Sequence, residues 1–232
     1  MFSRTVLHLF HSLVELLFPR LCLVCGNSLV KSEKYICSAC LADFPFSDRE
    51  VTLGAQILDS FPETLRPIEF HALFYYNRYS NYRNLIYAVK YESRKNVGIY
   101  LGRMLGLRMK GHTMVDCIVP VPLHPCRERK RGFNQARQIA LGVSEVLGIE
   151  VLDNVVVRVK NNASQTGKDA NGRRSNVENI FQLRKLDQIE GKHILVIDDI
   201  VTTGATVGAC LYVLAAAKGV RFSLACLART EL

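Results

Sequence analysis

From residue 69 to the end of the chain, short β-branched apolar runs alternate with longer stretches whose apolar residues recur at helical spacing. "EFHALFYY" (69–76) reads as a strand. In 80–91, Leu85, Ile86 and Val89 fall on one helical face, and 97–109 reads as a second helix. "VDCIVPVPL" (115–123) is a β-branched strand that stops at prolines, and 133–148 reads as a helix with Ile139, Val143 and Leu147 among its apolar positions. "VVVRV" (155–159), "HILVI" (193–197) and "RFSLACLA" (221–228) complete the strands, with a helix over 205–218. The polar segment 160–178 has neither period. Strands alternating with helices predict an α/β fold with a parallel sheet flanked by helices. No internal repeat or low-complexity tract interrupts the pattern.

The first 68 residues differ. Leu9, Leu13, Leu16 and Leu17 suit one face of a short amphipathic helix, and the helix plus a cysteine-rich ribbon occupy 1–48. Pro62, Pro67 and Gly54 mark 49–68 as a connector, leaving 69–232 as the α/β domain. The longest apolar run, 205–217, is too short for a spanning helix, which needs about 20 residues. The N-terminus has His8, His11 and Glu15 within its apolar part and no small-residue cleavage site, so no secretory signal is expected, and the expected location is cytoplasmic.

The ribbon carries the first chemistry. Cys22-x2-Cys25 and Cys37-x2-Cys40 are separated by eleven residues. Each Cys-x2-Cys turn aims two thiolates at one point, and two turns supply a closed tetrahedral set, which suits a structural Zn2+. Iron–sulfur ligation uses the same thiolates; structural disulfides do not suit a chain without a secretion signal. Loss of the metal is expected to unfold 20–45 ahead of the rest. Cys117, Cys126, Cys210 and Cys226 lie in or near apolar segments and read as small packing residues.

The second chemistry lies in "HILVIDDIVTTGAT" (193–206). Adjacent carboxylates repel unless a cation or a donor-rich ligand such as a sugar diol engages them. The turn Thr202-Thr203-Gly204-Ala205-Thr206 leads into a helix N-terminus, whose N–H groups, hydroxyls and dipole suit a phosphate. A diol site followed by a phosphate cradle describes a 5-phosphoribosyl group. With 30 Lys plus Arg against 21 Asp plus Glu, the formal charge of +9 favours an anionic partner, either a phosphate-bearing small molecule or nucleic acid.

"ILVIDDIVTTGAT" resembles the signature of type I phosphoribosyltransferases, in which the two acids hold the ribose hydroxyls of phosphoribosyl diphosphate and the turn binds its 5-phosphate. "DCIVPVPLHPCRERKRGFNQA" (116–136), read with the four cysteines, resembles the ComF-type competence family, which carries a zinc ribbon on a phosphoribosyltransferase-like domain. Gln165, Arg173, Asn176, Val177 and Phe181 also fit its pattern, whereas 167–171 has small and polar residues in place of an apolar one. The resemblance covers nearly the whole chain. It implies that the turn after Pro122 opens the pyrophosphate loop, with Arg127, Arg129, Lys130 and Arg131 as its basic residues, and that 160–178, with Gln165, Lys168, Arg173, Arg174 and Asn176, is a mobile loop over the site. It also implies Mg2+ accompanying phosphoribosyl diphosphate, and a role in DNA uptake.

Two functions remain open at this point. One is magnesium-dependent phosphoribosyl transfer to an unknown acceptor, with Asp198 and Asp199 as catalytic residues. The other is a non-catalytic protein that handles single-stranded DNA, with other DNA-uptake proteins as partners, and keeps the pocket for binding or regulation. For the latter, the Arg127–Arg131 run would meet phosphates, and Tyr75, Tyr76, Tyr79, Tyr82, Tyr87 and Phe133 are candidate stacking residues.

Overall fold

The computed structural model describes residues 18–47, 57–91, 95–160 and 180–230. Its centre is a four-stranded sheet, all parallel, in the order β1 (Phe70–Tyr76), β6 (Arg221–Thr230), β5 (His193–Val201), β2 (Cys117–Pro120). Alternation along the strands feeds two separate cores. Leu195, Ile197, Ile118, Ala225 and Leu227 face one side, where α2 (Arg83–Tyr91), α3 (Lys95–Met109) and α5 (Gln135–Leu147) pack. Ile194, Val196, Cys117, Val119 and Leu224 face the other, against α6 (Ala205–Leu214). Cys117, Cys210 and Cys226 are buried in this second core, as packing residues; Cys126 is exposed.

The helix pair α3–α5 is the tightest contact. A Cβ on Gly102 would stand 2.3 Å from the Ile139 carbonyl oxygen, and one on Gly142 would stand 2.2 Å from that of Ile99. Glycine at both positions lets the backbones touch.

The ribbon does not stand apart. Its short helix α1 (Ser38–Ala42) leads into residues 44–47, which lie against the edge strand β1. The Ser47 N–H donates to the Leu73 carbonyl at 3.0 Å, and the Tyr75 N–H donates to that of Pro45 at 3.3 Å. Phe44 meets Phe74 edge-on, with centroids 5.5 Å apart, and Tyr82 at 5.3 Å. Residues 57–68, read from sequence as part of a connector, bury Ile57, Phe61 and Leu65 in the core beside α6.

Three local expectations change. Strand β5 does not end at Ile197 but continues through both acids to Val201, because β6 keeps offering ladder partners as far as Arg229. The basic run is not a loop: Pro125–Arg131 forms a helix, α4, with Pro125 at its start, His124 as N-cap and Gly132 as a left-handed C-cap at φ 82°. The strand at 155–159 does not join the parallel sheet. Val156–Arg158 (β3) pairs antiparallel with Phe181–Leu183 (β4) in a two-stranded ribbon. No helix among the described residues is long and apolar enough to cross a membrane.

Candidate functional site

The topology opens a crevice between β2 and β5. The chain leaving β2 turns outward to Val151, which bridges Ile118 on the far side of that strand. The chain leaving β5 passes through α6 to β6 on the opposite side. Such a reversal at the carboxyl edge of a parallel sheet is where ligands collect. Strand β2 stops at Pro120, opposite Ile197, and the Val121 N–H makes the last bond to the Ile197 carbonyl at 2.8 Å. Beyond it, Asp198 and Asp199 line an edge that has β6 on one side only.

Because the strand continues, the two acids point to opposite faces. Asp199 follows the parity of Leu195 and Ile197. It pairs with Lys90 of α2, Nζ to Oδ2 3.2 Å, with side-chain exposures of 14% and 22%. Asp198 follows Ile194 and Val196 towards α6 and β3. Its Oδ1 accepts the Asp199 N–H at 2.8 Å. Burial and then the Asp199 charge push its carboxyl up to about 7, against the pull of that bond, Lys90 and Arg158. Burial, reinforced by Arg127, lowers the Arg158 guanidinium, while Asp198 raises it. The cations acting on the acid pair are Lys90 and Arg158, with Arg127 acting in turn on Arg158. Sequence reading missed the first two. Each had a signal: Lys90 sits four residues after the buried Ile86 on the apolar face of its helix, and Arg158 shares the strand parity of buried Val156.

The turn after β5 leaves Thr202, Thr203, Ala205 and Thr206 exposed. Gly204 is the N-cap of α6 at φ 73°, and no side chain caps the helix. The first-turn N–H groups are thus left for an anion. A Cβ at Gly204 would be strained at this φ and would stand 3.0 Å from the Phe61 ring.

The basic run divides. Arg127 is half-buried, and its charge lowers the Arg158 guanidinium. Arg131 donates to the Gln135 side-chain oxygen at 3.0 Å. Arg129 and Lys130 are exposed, and Arg129 contacts the Cys126 sulfur at 3.4 Å. A groove of about 610 Å³ runs from the loop after β2 to the β3–β4 ribbon, lined by Pro122, His124, Asn134, Arg137, Asp153 and Arg158 among others. Arg137 holds Asp153 at 2.7 Å across its floor. Gln165, Lys168, Arg173, Arg174, Asn176 and Val177, assigned from sequence to a loop over the site, lie outside the described residues.

The stacking candidates thin out. Phe133 is buried, Tyr82 donates to the Cys40 carbonyl at 2.7 Å, and Tyr75 lies under Arg229 with its hydroxyl bonded to that guanidinium. Tyr79 and Tyr87 stay exposed, at 79% and 48%.

The sulfurs of Cys22, Cys25, Cys37 and Cys40 all lie within 4.8 Å of one another. Those of Cys25 and Cys37 are 3.7 Å apart, close to the ~3.8 Å edge of a tetrahedron with 2.3 Å Zn–S bonds. Gly26, at φ 77°, closes the first knuckle with its N–H on the Cys22 carbonyl at 2.9 Å. Cys37 caps α1 and accepts the Cys40 N–H at 3.5 Å. Burial raises the Cys22 thiol, but bonds from the Cys25, Cys37 and Val24 N–H groups outweigh it and lower it to about 7. Burial and the neighbouring sulfurs raise Cys40. Four sulfurs this close ionise together only around a cation, and the donor set fits a structural zinc ion.

Comparison with known proteins agrees with this architecture. Residues 130–231 match the phosphoribosyl transferase domain, and residues 13–51 match the double zinc ribbon domain. The chain is 28% identical over 183 residues to competence protein F of Haemophilus influenzae, covering 78% of this chain and 72% of that one. It is 32% identical to the DNA utilization protein YhgH of Escherichia coli K12, over 63% of this chain and 66% of that one. It is 39% identical to competence protein ComFC of Bacillus subtilis, over 38% of this chain and 34% of that one.

Proposed function

The chain belongs to the ComF-type family, in which a zinc ribbon accompanies a phosphoribosyltransferase-like domain, and on that footing we propose that it binds phosphoribosyl diphosphate at the β2–β5 crevice and transfers the phosphoribosyl group to an acceptor. One observation carries this reading. The acid pair stands at an open strand edge immediately before an uncapped helix N-terminus. A ribose diol donates to Asp198 and Asp199, and its 5-phosphate accepts from the Thr202–Thr206 turn. Arg127, whose charge acts on Arg158, supports a place for the departing pyrophosphate, and Arg129, Lys130 and Arg131 add positive charge on the same helix. Mg2+ bound with the ligand would supply further positive charge for the diphosphate. As the bond to pyrophosphate breaks, positive charge grows on the ribose, and the carboxylates stabilise it. The groove beside Arg158 is open to an acceptor next to that centre.

The names of the relatives, competence and DNA utilization proteins, support a role in the handling of imported DNA. Exposed Tyr79, stacked on Arg78 at 4.8 Å, and exposed Tyr87 support a second reading in which single-stranded DNA binds without turnover. Titration calorimetry separates the claims. Asp198→Asn combined with Asp199→Asn is expected to abolish binding of phosphoribosyl diphosphate while the thermal melt stays cooperative; unchanged affinity would remove the first reading. Release of pyrophosphate in the presence of bases or single-stranded DNA tests the transfer. A steep loss of DNA affinity with salt tests the second reading.

A further inference from the structure

Lys90 makes the only side-chain ion pair to either acid among the described residues. Its helix is anchored: Leu85, Ala88 and Val89 have no exposed surface. The ammonium is therefore held near Asp199, and only the flexible stem moves. It lies on the α2 side of the sheet, whereas the uncapped turn of α6 lies on the other side. In a phosphoribosyl diphosphate the 5-phosphate and the 1-diphosphate leave opposite ends of the ribose. On the phosphoribosyl reading, anchoring the 5-phosphate at α6 leaves the diphosphate at the far end of the ribose, where Lys90 reaches it from the α2 side and Arg127 from the β3 side.

We propose that Lys90 sets the preference of this site for a sugar diphosphate over the corresponding sugar monophosphate; the proposal rests on the phosphoribosyl reading above. In the empty site Lys90 neutralises Asp199. Lys90 holds Oδ2 of Asp199, and a ribose diol that engages both oxygens of this carboxylate competes with the ammonium for it. A diphosphate at C1 gives the displaced ammonium an anion to bond, and the exchange trades one charge-assisted contact for another. Ribose 5-phosphate offers no such anion at C1. It must part a half-buried ion pair without replacing it, which is costly. One lysine thus favours the diphosphate and opposes the monophosphate. It is a positioning residue in the empty site and a ligand contact in the filled one.

The experiment is calorimetric titration of the full chain, loaded with zinc, with phosphoribosyl diphosphate plus Mg2+ and, separately, with ribose 5-phosphate. The variants are Lys90→Met, Lys90→Gln and Lys90→Arg, with melts to verify folding. For Lys90→Met or Lys90→Gln, affinity for the diphosphate is expected to fall roughly 10- to 100-fold, as for loss of a charge-assisted hydrogen bond. Affinity for ribose 5-phosphate is expected to stay level or rise, and Lys90→Arg to restore the preference. An equal loss for both ligands makes Lys90 a scaffold residue and overturns the proposal, as does no change for either. A wild-type chain that binds neither ligand overturns the phosphoribosyl reading, and the proposal with it.

Discussion

Asp198 and Asp199 are identical in type and adjacent in sequence, yet the fold gives them different electrostatics. Asp199 has Lys90; Asp198 has a backbone N–H and two more distant cations, and burial pushes it up to about 7. An acid whose folded pKa is raised binds more protons folded than unfolded. Its contribution to stability is therefore lost as pH rises from its ordinary value, near 4, through about 7. Asp198→Asn, which keeps an oxygen for the Asp199 N–H, removes that loss. The ligand-free variant is expected to melt at least roughly 3 °C above wild type at pH 8, with the gap closing towards pH 4. A pH-independent gap, or none, would show that Asp198 is ionised without strain. The local motif was legible because acids, threonines and glycine lie within nine residues. Lys90 and Arg158 carried a local sign of burial but none of the site, because only the folded topology brings their elements to the strand edge.

At the scale of elements, periodicity marked the main strands and helices because each buries a definite face. It failed where a neighbour, and not the segment itself, decides the outcome. β5 reads as ending at its acids, but the β6 ladder carries it to Val201. β4 is three residues long and has no period to read. α4 hides in a basic run, although its last-turn arginines and lysine suit the C-terminal dipole and its end caps are present in the sequence. The α3–α5 seam is subtler. Gly98, Gly102, Gly106 and Gly142 look like helix-weakening residues, and Gly→Ala in a helix interior normally stabilises by roughly 1 kcal/mol. Here the added carbon at Gly142 meets a backbone oxygen at 2.2 Å, which cannot move without separating the helices. Overpacking wins: Gly142→Ala is expected to cost about 3 kcal/mol, lowering the melting temperature by roughly 10 °C. Denaturant titration checks this, and a stabilised variant would mean that the two helices part at this seam without cost.

For the whole molecule, the ribbon changes meaning. Its cysteine spacing reads as a self-contained metal module, expected to unfold by itself when the metal leaves. The structure instead gives it part of the main core and the task of covering an edge strand. An open edge such as β1 invites pairing with other chains, and residues 45–47 occupy it. Phe44 fills the space over Phe74 and Tyr82, and the Tyr82 hydroxyl bonds the carbonyl of a metal-site cysteine. Removing the metal leaves four crowded thiols with no cation, so α1 and the knuckle lose what fixes them. The consequence reaches beyond residues 20–45. After verified chelation, amide exchange is expected to accelerate at Ser47 and Tyr75, whose N–H groups bond across the seam, and in the first turn of α2 behind Tyr82. β6 and β5, one and two strands inward from β1, keep their protection, so the acid pair and the turn after it persist. Loss confined to 20–45 would return the ribbon to the status of an appendage. Joint loss at the β1 edge would show why a phosphoribosyltransferase-like domain carries a four-cysteine site remote from its acids: a metal there would hold down the segment that seals the sheet.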